Sequence, residues 1–262
     1  MSNPTLTRLS SLGYGYDVLS TLVRRELRIR YKGSILGLLW AVLSPLGTVA
    51  VLHVLFSRIL PLDIPHYAAF IYSGMLPWSW FQASVVTSAH TLIDNRDLVR
   101  KPFFPRLMLP GVVAGTNFCL YLLALPVLVA LLLIEGVALS PALLLLPLVW
   151  VVLGLFSLAC SVLVAALGVV VRDVQHLLGV GMLLWFYMTP IFYDPTRIAP
   201  DMARWLNLNP LTPIIAAHRQ IVLAGQPPDM VGLSLAALVS AALLAGSVWL
   251  FRVLEDSFVE EV

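Results

Sequence analysis

Apolar positions follow a helical period at the start of this chain and then crowd into runs too long to leave a wet face. Between Asp17 and Lys32, Val18, Leu19, Leu22, Val23, Leu27 and Ile29 fall on one half of a helical wheel. Arg24, Arg25, Arg28 and Lys32 occupy a narrower arc opposite. Glu26 and Arg30 lie inside the apolar half, spaced in the order that favours a pair along a helix. The pattern predicts a helix over 17–32 lying in a membrane interface, its basic arc toward lipid headgroups or a partner. Residues 1–16 are polar, contain Gly and Ser, and are expected to be loosely ordered.

Beyond Lys32 come six apolar runs, 35–57, 67–89, 107–134, 142–171, 174–192 and 231–251. Each is long enough for roughly 30 Å of hydrocarbon. Pro45 is expected to kink the first. Pro77, Pro110, Pro126 and Pro147 read as internal prolines that neighbouring helices in a membrane tolerate. The third and fourth runs exceed what a perpendicular helix needs, so tilt, kinks or protrusion are expected. The fold class is therefore an all-α membrane protein, one transmembrane domain over 1–262 with six spans.

The stretch 193–230 breaks the pattern. It holds six prolines (195, 200, 210, 213, 227, 228) yet stays rich in large apolar residues. Leu211–Ala224 is too short to span and too apolar for a solvated loop. Backbone of this kind is stable at membrane depth only under protein or beside a water-filled cavity. It predicts two short re-entrant helices on the outer side, roughly 198–206 and 211–224, dipping toward a pathway.

Composition supports the bilayer: 60% of residues are hydrophobic and 11% charged, against about a quarter charged in soluble domains. A net charge of +2 is too small for nucleic-acid binding. Its distribution sets orientation. Arg8, Arg24, Arg25, Arg28, Arg30 and Lys32 precede the first run; Arg96, Arg100, Lys101 and Arg106 lie between the second and third; Arg172 and Arg252 follow on the same side. Those twelve oppose four, Arg58, Arg197, Arg204 and Arg219, so both termini are expected in the cytoplasm. The first residues lack an apolar core with a small-residue cleavage site, so no signal peptide is expected. Cys119 and Cys160 sit inside apolar runs and read as small buried hydrophobes.

Catalytic chemistry finds no foothold. The five histidines are scattered without metal-ligand spacing, and no G-x-S-x-G occurs. A phosphate-cradling loop needs Gly-Lys-[Ser/Thr], but Lys32 follows Tyr31 and Lys101 follows Arg100. Nucleotide-driven work would need a separate ATPase chain. Asp63, Asp94, Asp97, Asp173, Asp194, Asp201 and Asp229 lie in connections without a D-x-D pair, which disfavours a membrane-embedded lipid-sugar transferase.

Several features fit contact or transport. In the 90–106 connection, Asp94 or Asn95 is expected to cap a short helix containing Arg96 and Asp97, with Arg100 and Lys101 in its last turn. Pro102 and Pro105 would stop it. An ordinary positive-inside loop has the same composition. Trp78, Trp80 and Phe81 cluster mid-span, and Tyr187, Phe192 and Tyr193 crowd the end of the fifth run with Trp185 and Phe186. Aromatic faces can line a path for sugars, and helix packing accounts for them equally. Gly33/Gly37 and Gly111/Gly115 have the spacing of close helix contacts. His53 and Asn117 are polar residues within spans, and Arg172–Asp173 is a tight turn whose charges can pair.

Five segments carry a family resemblance: RRELRIRYKGSILGLLWAVLSPL (24–46), LVRKPFFPRLMLP (98–110), VVRDVQHLL (170–178), MTPIFYDPTRIAP (188–200) and LNPLTPIIAAHRQIVLAG (208–225). In this order, across essentially the whole chain, they resemble the permease subunit of type 2 ATP-binding-cassette exporters in the polysaccharide and polyol-phosphate branch. The resemblance implies six spans, an N-terminal interface helix (Arg24, Arg25, Glu26, Arg28, Arg30) and two outer gate helices over 196–224. It implies a second copy of the chain and two cytoplasmic ATPase subunits, with ATP and Mg on those subunits and no cofactor on this one. Coupling to the ATPase would fall at Asp94–Lys101. A lipid-linked glycan of O-antigen type would cross a bacterial inner membrane between the permeases, past Trp78, Trp80, Phe81, Tyr187, Phe192 and Tyr193. Teichoic acid, capsule, or a small amphipathic drug or lipid are alternative cargoes.

Overall fold

The computed structural model describes residues 4–30, 32–34, 36–59, 62–101, 104–171, 173–199, 204–206, 208–255 and 258, and every regular element among them is helical. In chain order the α-helices of four or more residues are α1 (Pro4–Arg30), α2 (Trp40–Val54), α3 (Tyr67–Ser88), α4 (Thr91–Asp94), α5 (Arg96–Val99), α6 (Met108–Ile134), α7 (Leu146–Val170), α8 (Val174–Met188), α9 (Leu211–Val222) and α10 (Met230–Leu254). Among the described residues, four stretches are long and apolar enough to cross a membrane: Gly37–Ile59, Met108–Ile134, Pro141–Val170 and Met230–Leu254. This is an all-α, multi-pass membrane protein.

The helix α3 is the centre of the bundle. It packs against α2, α6, α7 and α9, and its residues 71–78 are all buried. That position explains its composition. Ser73, Ser84 and Ser88 are fully buried in protein rather than lipid, so α3 is less apolar than the lipid-facing helices. At 22 residues it is still about 33 Å long. The most extensive pairing elsewhere is α7 against α10. Helices α3 and α6 run antiparallel, with Ala69, Tyr72 and Trp80 bonded in turn to Glu135, Ala124 and Ala114. The Tyr67 end of α3 also meets the segment after α8, where Tyr67 bonds to Phe192.

Small residues make these contacts close, as expected where lipid tails offer no hydrophobic drive between helices. A Cβ on Gly168 of α7 would lie 2.4 Å from the Ala89 carbonyl oxygen, and one on Gly154 would touch the Trp80 ring at 3.4 Å. Gly168→Ala is therefore expected to cost about 1–3 kcal/mol by forcing α3 and α7 apart. A lower melting temperature of the purified protein in detergent checks this; an unchanged one would mean the two helices separate freely.

The Gly111/Gly115 spacing is used in the same way, by α1. Leu19 lies 3.9 Å and Val23 3.4 Å from Cβ positions on those glycines. Gly33 and Gly37 do something different. Both have left-handed backbone, φ +82° and +49°, with nothing within 4 Å, so they turn the chain between α1 and α2 rather than pack helices.

Several boundaries differ from the sequence expectation. The first helix begins at Pro4, far ahead of residue 17; a proline in the first turn has no hydrogen-bonding N–H to lose. Pro110 and Pro147 likewise stand in first turns, leaving Pro45, Pro77 and Pro126 as interior prolines. The fifth apolar run is helical only to Met188, because Thr189 precedes Pro190 and is extended at ψ 131°. Cys160 is buried but Cys119 is exposed, on the outer face of α6. Pro102, Arg172 and residues 200–203 lie outside the described residues, and with them the stop at Pro102, the Arg172–Asp173 pair and part of the 198–206 helix.

Candidate functional site at the two ends of the bundle

At the Tyr67 end the chain after α8 folds back under a buried arginine. The helix α9 follows Pro210, and Asn209 Oδ1 accepts from the Leu211 N–H at 3.1 Å and from Trp185 Nε1 at 3.0 Å. Asn209 Nδ2 donates to Thr189 Oγ1 at 2.9 Å. One amide thus ties the start of α9 to the end of α8. The helix is amphipathic, with Leu211, Ile214, Ile215, Ile221 and Val222 buried against α3, α7 and α10. It lies where 211–224 was expected to be helical, and it is covered by protein.

Arg219, on α9, is the pin of this end. Its Nη1 donates to the Pro190 carbonyl at 2.5 Å, and its Nη2 donates to the Ile191 carbonyl and, at 3.3 Å, to that of Phe70. Its guanidinium carbon sits 3.7 Å from the centre of the Phe70 ring, a cation–π contact. A fork of N–H donors can bind three carbonyls on two segments at once, which an ammonium cannot. Gly74 of α3 supplies the room, since a Cβ there would be 2.6 Å from Nη2. Asp194 lies within electrostatic range of Arg219 and caps the turn Pro195–Arg197 by accepting from Thr196 N at 2.9 Å.

Neighbouring groups close the same end. Tyr67 Oη donates to the Phe192 carbonyl at 2.8 Å, and Glu135 at the end of α6 accepts from the Ala69 N–H at 3.3 Å, in the first turn of α3. A carboxylate there complements the helix dipole. His218 is fully buried beside Tyr121 Oη at 2.9 Å, and that oxygen accepts from Trp150 Nε1 at 2.9 Å. His53 stacks on Tyr67 with ring centroids 6.2 Å apart.

The six aromatic candidates divide between two faces of α3. Trp78 packs on Phe186 at 5.6 Å and Phe81 on Trp185 at 5.1 Å, while Phe186 stacks on Phe192 at 5.8 Å and Phe192 meets Tyr193 at 5.0 Å. These rings form one continuous run from mid-bundle to the folded-back segment. Trp80 faces the other way, onto Phe118 and Tyr121. Trp78, Trp80 and Phe81 are buried within the chain; Tyr187 is 58% exposed, and Phe192 and Tyr193 are half-buried. Tyr187 and Tyr193 line a recess of about 320 Å³ with Leu62, Ile64, Asp194 and Ile198. Burial raises the Tyr193 phenol pKa, with the Arg219 charge opposing, and its hydroxyl donates to the Tyr187 carbonyl at 3.2 Å.

At the Ser88 end, 90–106 forms two single turns, α4 and α5, rather than one capped helix. Asn95 breaks them apart at φ −111°, ψ 32°, and its Nδ2 donates backward to the Thr91 carbonyl at 2.9 Å. Asp94 lies in α4, and neither residue caps α5 through its side chain. Leu92 and Val99 are buried anchors in a cluster with Leu109, Val162, Ala166 and Phe251. Arg106 completes the anchoring: Nε donates to the Val99 carbonyl at 3.0 Å, and Nη1 reaches the Glu255 carbonyl at 3.1 Å and its carboxylate at 3.4 Å. Asp94, Arg96, Asp97, Arg100 and Lys101 are exposed on this fixed platform.

The helix α1 lies beside it. Arg24, Arg25, Arg28 and Lys32 are exposed, whereas Glu26 and Arg30 are half-buried and pair at 3.6 Å. Arg30 Nη1 also donates to Asn117 Oδ1 at 2.9 Å, giving the polar residue inside α6 its partner.

Long apolar helices, a folded-back apolar segment pinned at one end and a basic platform at the other are the parts of a membrane transport subunit. No His, Cys or acidic cluster among the described residues could hold a metal ion. The chain belongs to the ABC-2 type transporter family, which matches residues 17–223. It is 35% identical over 247 residues to the O-antigen export system permease protein RfbA of Myxococcus xanthus, spanning 94% of this chain and 95% of that protein. An RfbA of Klebsiella pneumoniae is 31% identical over 220 residues, 82% of this chain and 83% of the relative. The polysialic acid transport protein KpsM of Escherichia coli is 23% identical over 255 residues, 94% of this chain and 98% of the relative.

Sequence reasoning placed Arg219 among the outer cations and gave it no role. The available signal was the one charged residue of a largely apolar run of 14 residues, 211–224, because a charge at membrane depth is retained only with partners. Tyr121, Asn209 and Glu135 had no comparable signal.

Proposed function

We propose that this chain is the membrane subunit of an ATP-driven exporter of lipid-linked polysaccharide, a glycan of O-antigen type. The observation that carries this reading is the near full-length similarity to the RfbA permeases. The six helices α2, α3, α6, α7, α8 and α10 serve as spans in a bacterial inner membrane, with both termini cytoplasmic. The Ser88 end is then the inner end and the Tyr67 end the outer.

Two copies work with two ATPase subunits that bind ATP and Mg. Within one chain, α2 buries only Val49 and α8 only Met182, so these two helices offer apolar faces to a second copy and to the channel between the copies. Asp94, Asn95, Arg96, Asp97, Arg100 and Lys101 present the contact for the ATPase, beside the basic arc of α1. Closure of the ATPase pair pushes on this anchored platform and moves α3, which ends at the Arg219 pin. Tyr187, Phe192 and Tyr193 line the outer part of the path, backed by Trp78 and Phe81. A polymer longer than any cavity advances by repeated ATP cycles. Export of a capsule-type glycan is the second reading, favoured by the similarity to KpsM.

Depleting the protein in cells that make the glycan tests the proposal. The expected result is a lipid-linked polymer trapped on the cytoplasmic side, read by extracting lipid-linked saccharides. Normal surface glycan after depletion would reject it.

A further inference from the structure

Below the end of α1, the helices α2, α3 and α6 part to leave a cavity of about 390 Å³, within the roughly 300–1,000 Å³ typical of ligand pockets. Arg30 and Asn117 line it together with Gln82 of α3 and Ser44 of α2. Leu120 and Ala124 continue the wall along the next two turns of α6. No carboxylate is among its described lining residues.

These polar lining groups are organised to donate. Arg30 is held by Asn117 at 2.9 Å and Glu26 at 3.6 Å, and Asn117 is itself fixed by donating to the Val113 carbonyl at 3.0 Å. A guanidinium has N–H donors beyond those two contacts. Gln82 Oε1 accepts from Trp78 Nε1 at 2.9 Å, which leaves the Gln82 amide group as a donor. Ser44 adds a hydroxyl. A fixed cationic fork among neutral donors, followed by an apolar wall, matches an acceptor-rich anion attached to a hydrocarbon chain.

We propose that this cavity binds the phosphate group of a lipid in the cytoplasmic leaflet, with the phosphate on Arg30 and the Gln82 amide and the chain along Leu120 and Ala124. The phosphate has two sources, a polyprenyl carrier or a membrane phospholipid. Assignment to the carrier rests on the export reading above; the phosphate site does not.

Native mass spectrometry of the full-length protein tests this by titration with a polyprenyl phosphate in one arm and phosphatidylglycerol in the other. Arg30→Gln is expected to weaken binding at least tenfold in one or both arms, and Arg30→Lys to recover part of it. Arg252→Gln, exposed in the last turn of α10, is expected to bind as the unaltered protein does. A loss confined to polyprenyl phosphate identifies the carrier; a loss in both arms identifies phospholipid headgroups as well. Unchanged binding in Arg30→Gln, or an equal loss in Arg252→Gln, overturns the site. Should Arg30→Gln fail to fold, Leu120→Trp fills the cavity while sparing Arg30, and undiminished binding there overturns it equally. Binding is read without transport, so its failure is distinct from absent glycan accumulation on depletion.

Discussion

Replacing Arg219 by methionine is expected to release the segment after α8 and reduce export by at least tenfold. Methionine fills similar volume but takes the guanidinium donors from the carbonyls of Phe70, Pro190 and Ile191, Phe70 alone keeping the Ser73 hydroxyl at 2.8 Å. Hydrogen bonds to a charged group are worth about 1.5–3 kcal/mol each. A net loss of roughly 3–5 kcal/mol follows if water re-satisfies only some of the carbonyls. Hydrogen exchange checks this directly: amides of 189–194 should exchange much faster in the variant while those of α6 stay protected. Arg219→Lys should be intermediate, keeping the charge but losing the fork. Gly74→Ala should reproduce the defect without touching any charge, because its Cβ would occupy the guanidinium's place, 2.6 Å from Nη2. Wild-type exchange at 189–194 in Arg219→Met would show that the arginine pins nothing.

The second large effect is expected at the opposite end. Reversing Arg96, Arg100 and Lys101 to Glu together should abolish export while protein levels and melting temperature remain near normal. All three side chains are exposed, and exposed charges contribute only about 0–1 kcal/mol each to folding. What holds the platform is Leu92, Val99 and the Arg106 contacts to Val99 and Glu255, which the triple change leaves alone. Complementary charge across an interface does matter for docking, since like charges set against each other cost several kcal/mol. Co-purification with the ATPase and ATP-dependent export, measured side by side, distinguish lost docking from lost folding. Export at the normal rate in the triple variant would remove Asp94–Lys101 from the coupling role.

How much of this could be read without coordinates varied with the range of the interaction. The Glu26–Arg30 pair lies one helical turn apart, and the structure has it at 3.6 Å. The helix over 211–222 also follows from local pattern, because an apolar run of that length has few other stable forms in a membrane. The fifth run shows where pattern stops. Its apolar residues continue to Phe192, but the helix ends at Met188, since Pro190 restricts Thr189 to extended backbone. The 90–106 connection misled for another reason: Asn95 donates backward to Thr91 instead of capping forward, and both choices satisfy its side chain equally well on paper.

The amino-acid sequence alone determined that the protein lives in a bilayer, roughly where its long apolar helices fall and in which connections its cations gather. Each of these depends on residues close together in the chain, whose burial is dictated by length and period. Only the tertiary structure decided which polar groups meet. Arg30 found Asn117 across 87 positions and Arg219 found Phe70 across 149, and Gly111 and Gly115 received α1 while Gly33 and Gly37 became a turn. Such pairings are set by how helices cross and where small residues let them approach, and no local period records that.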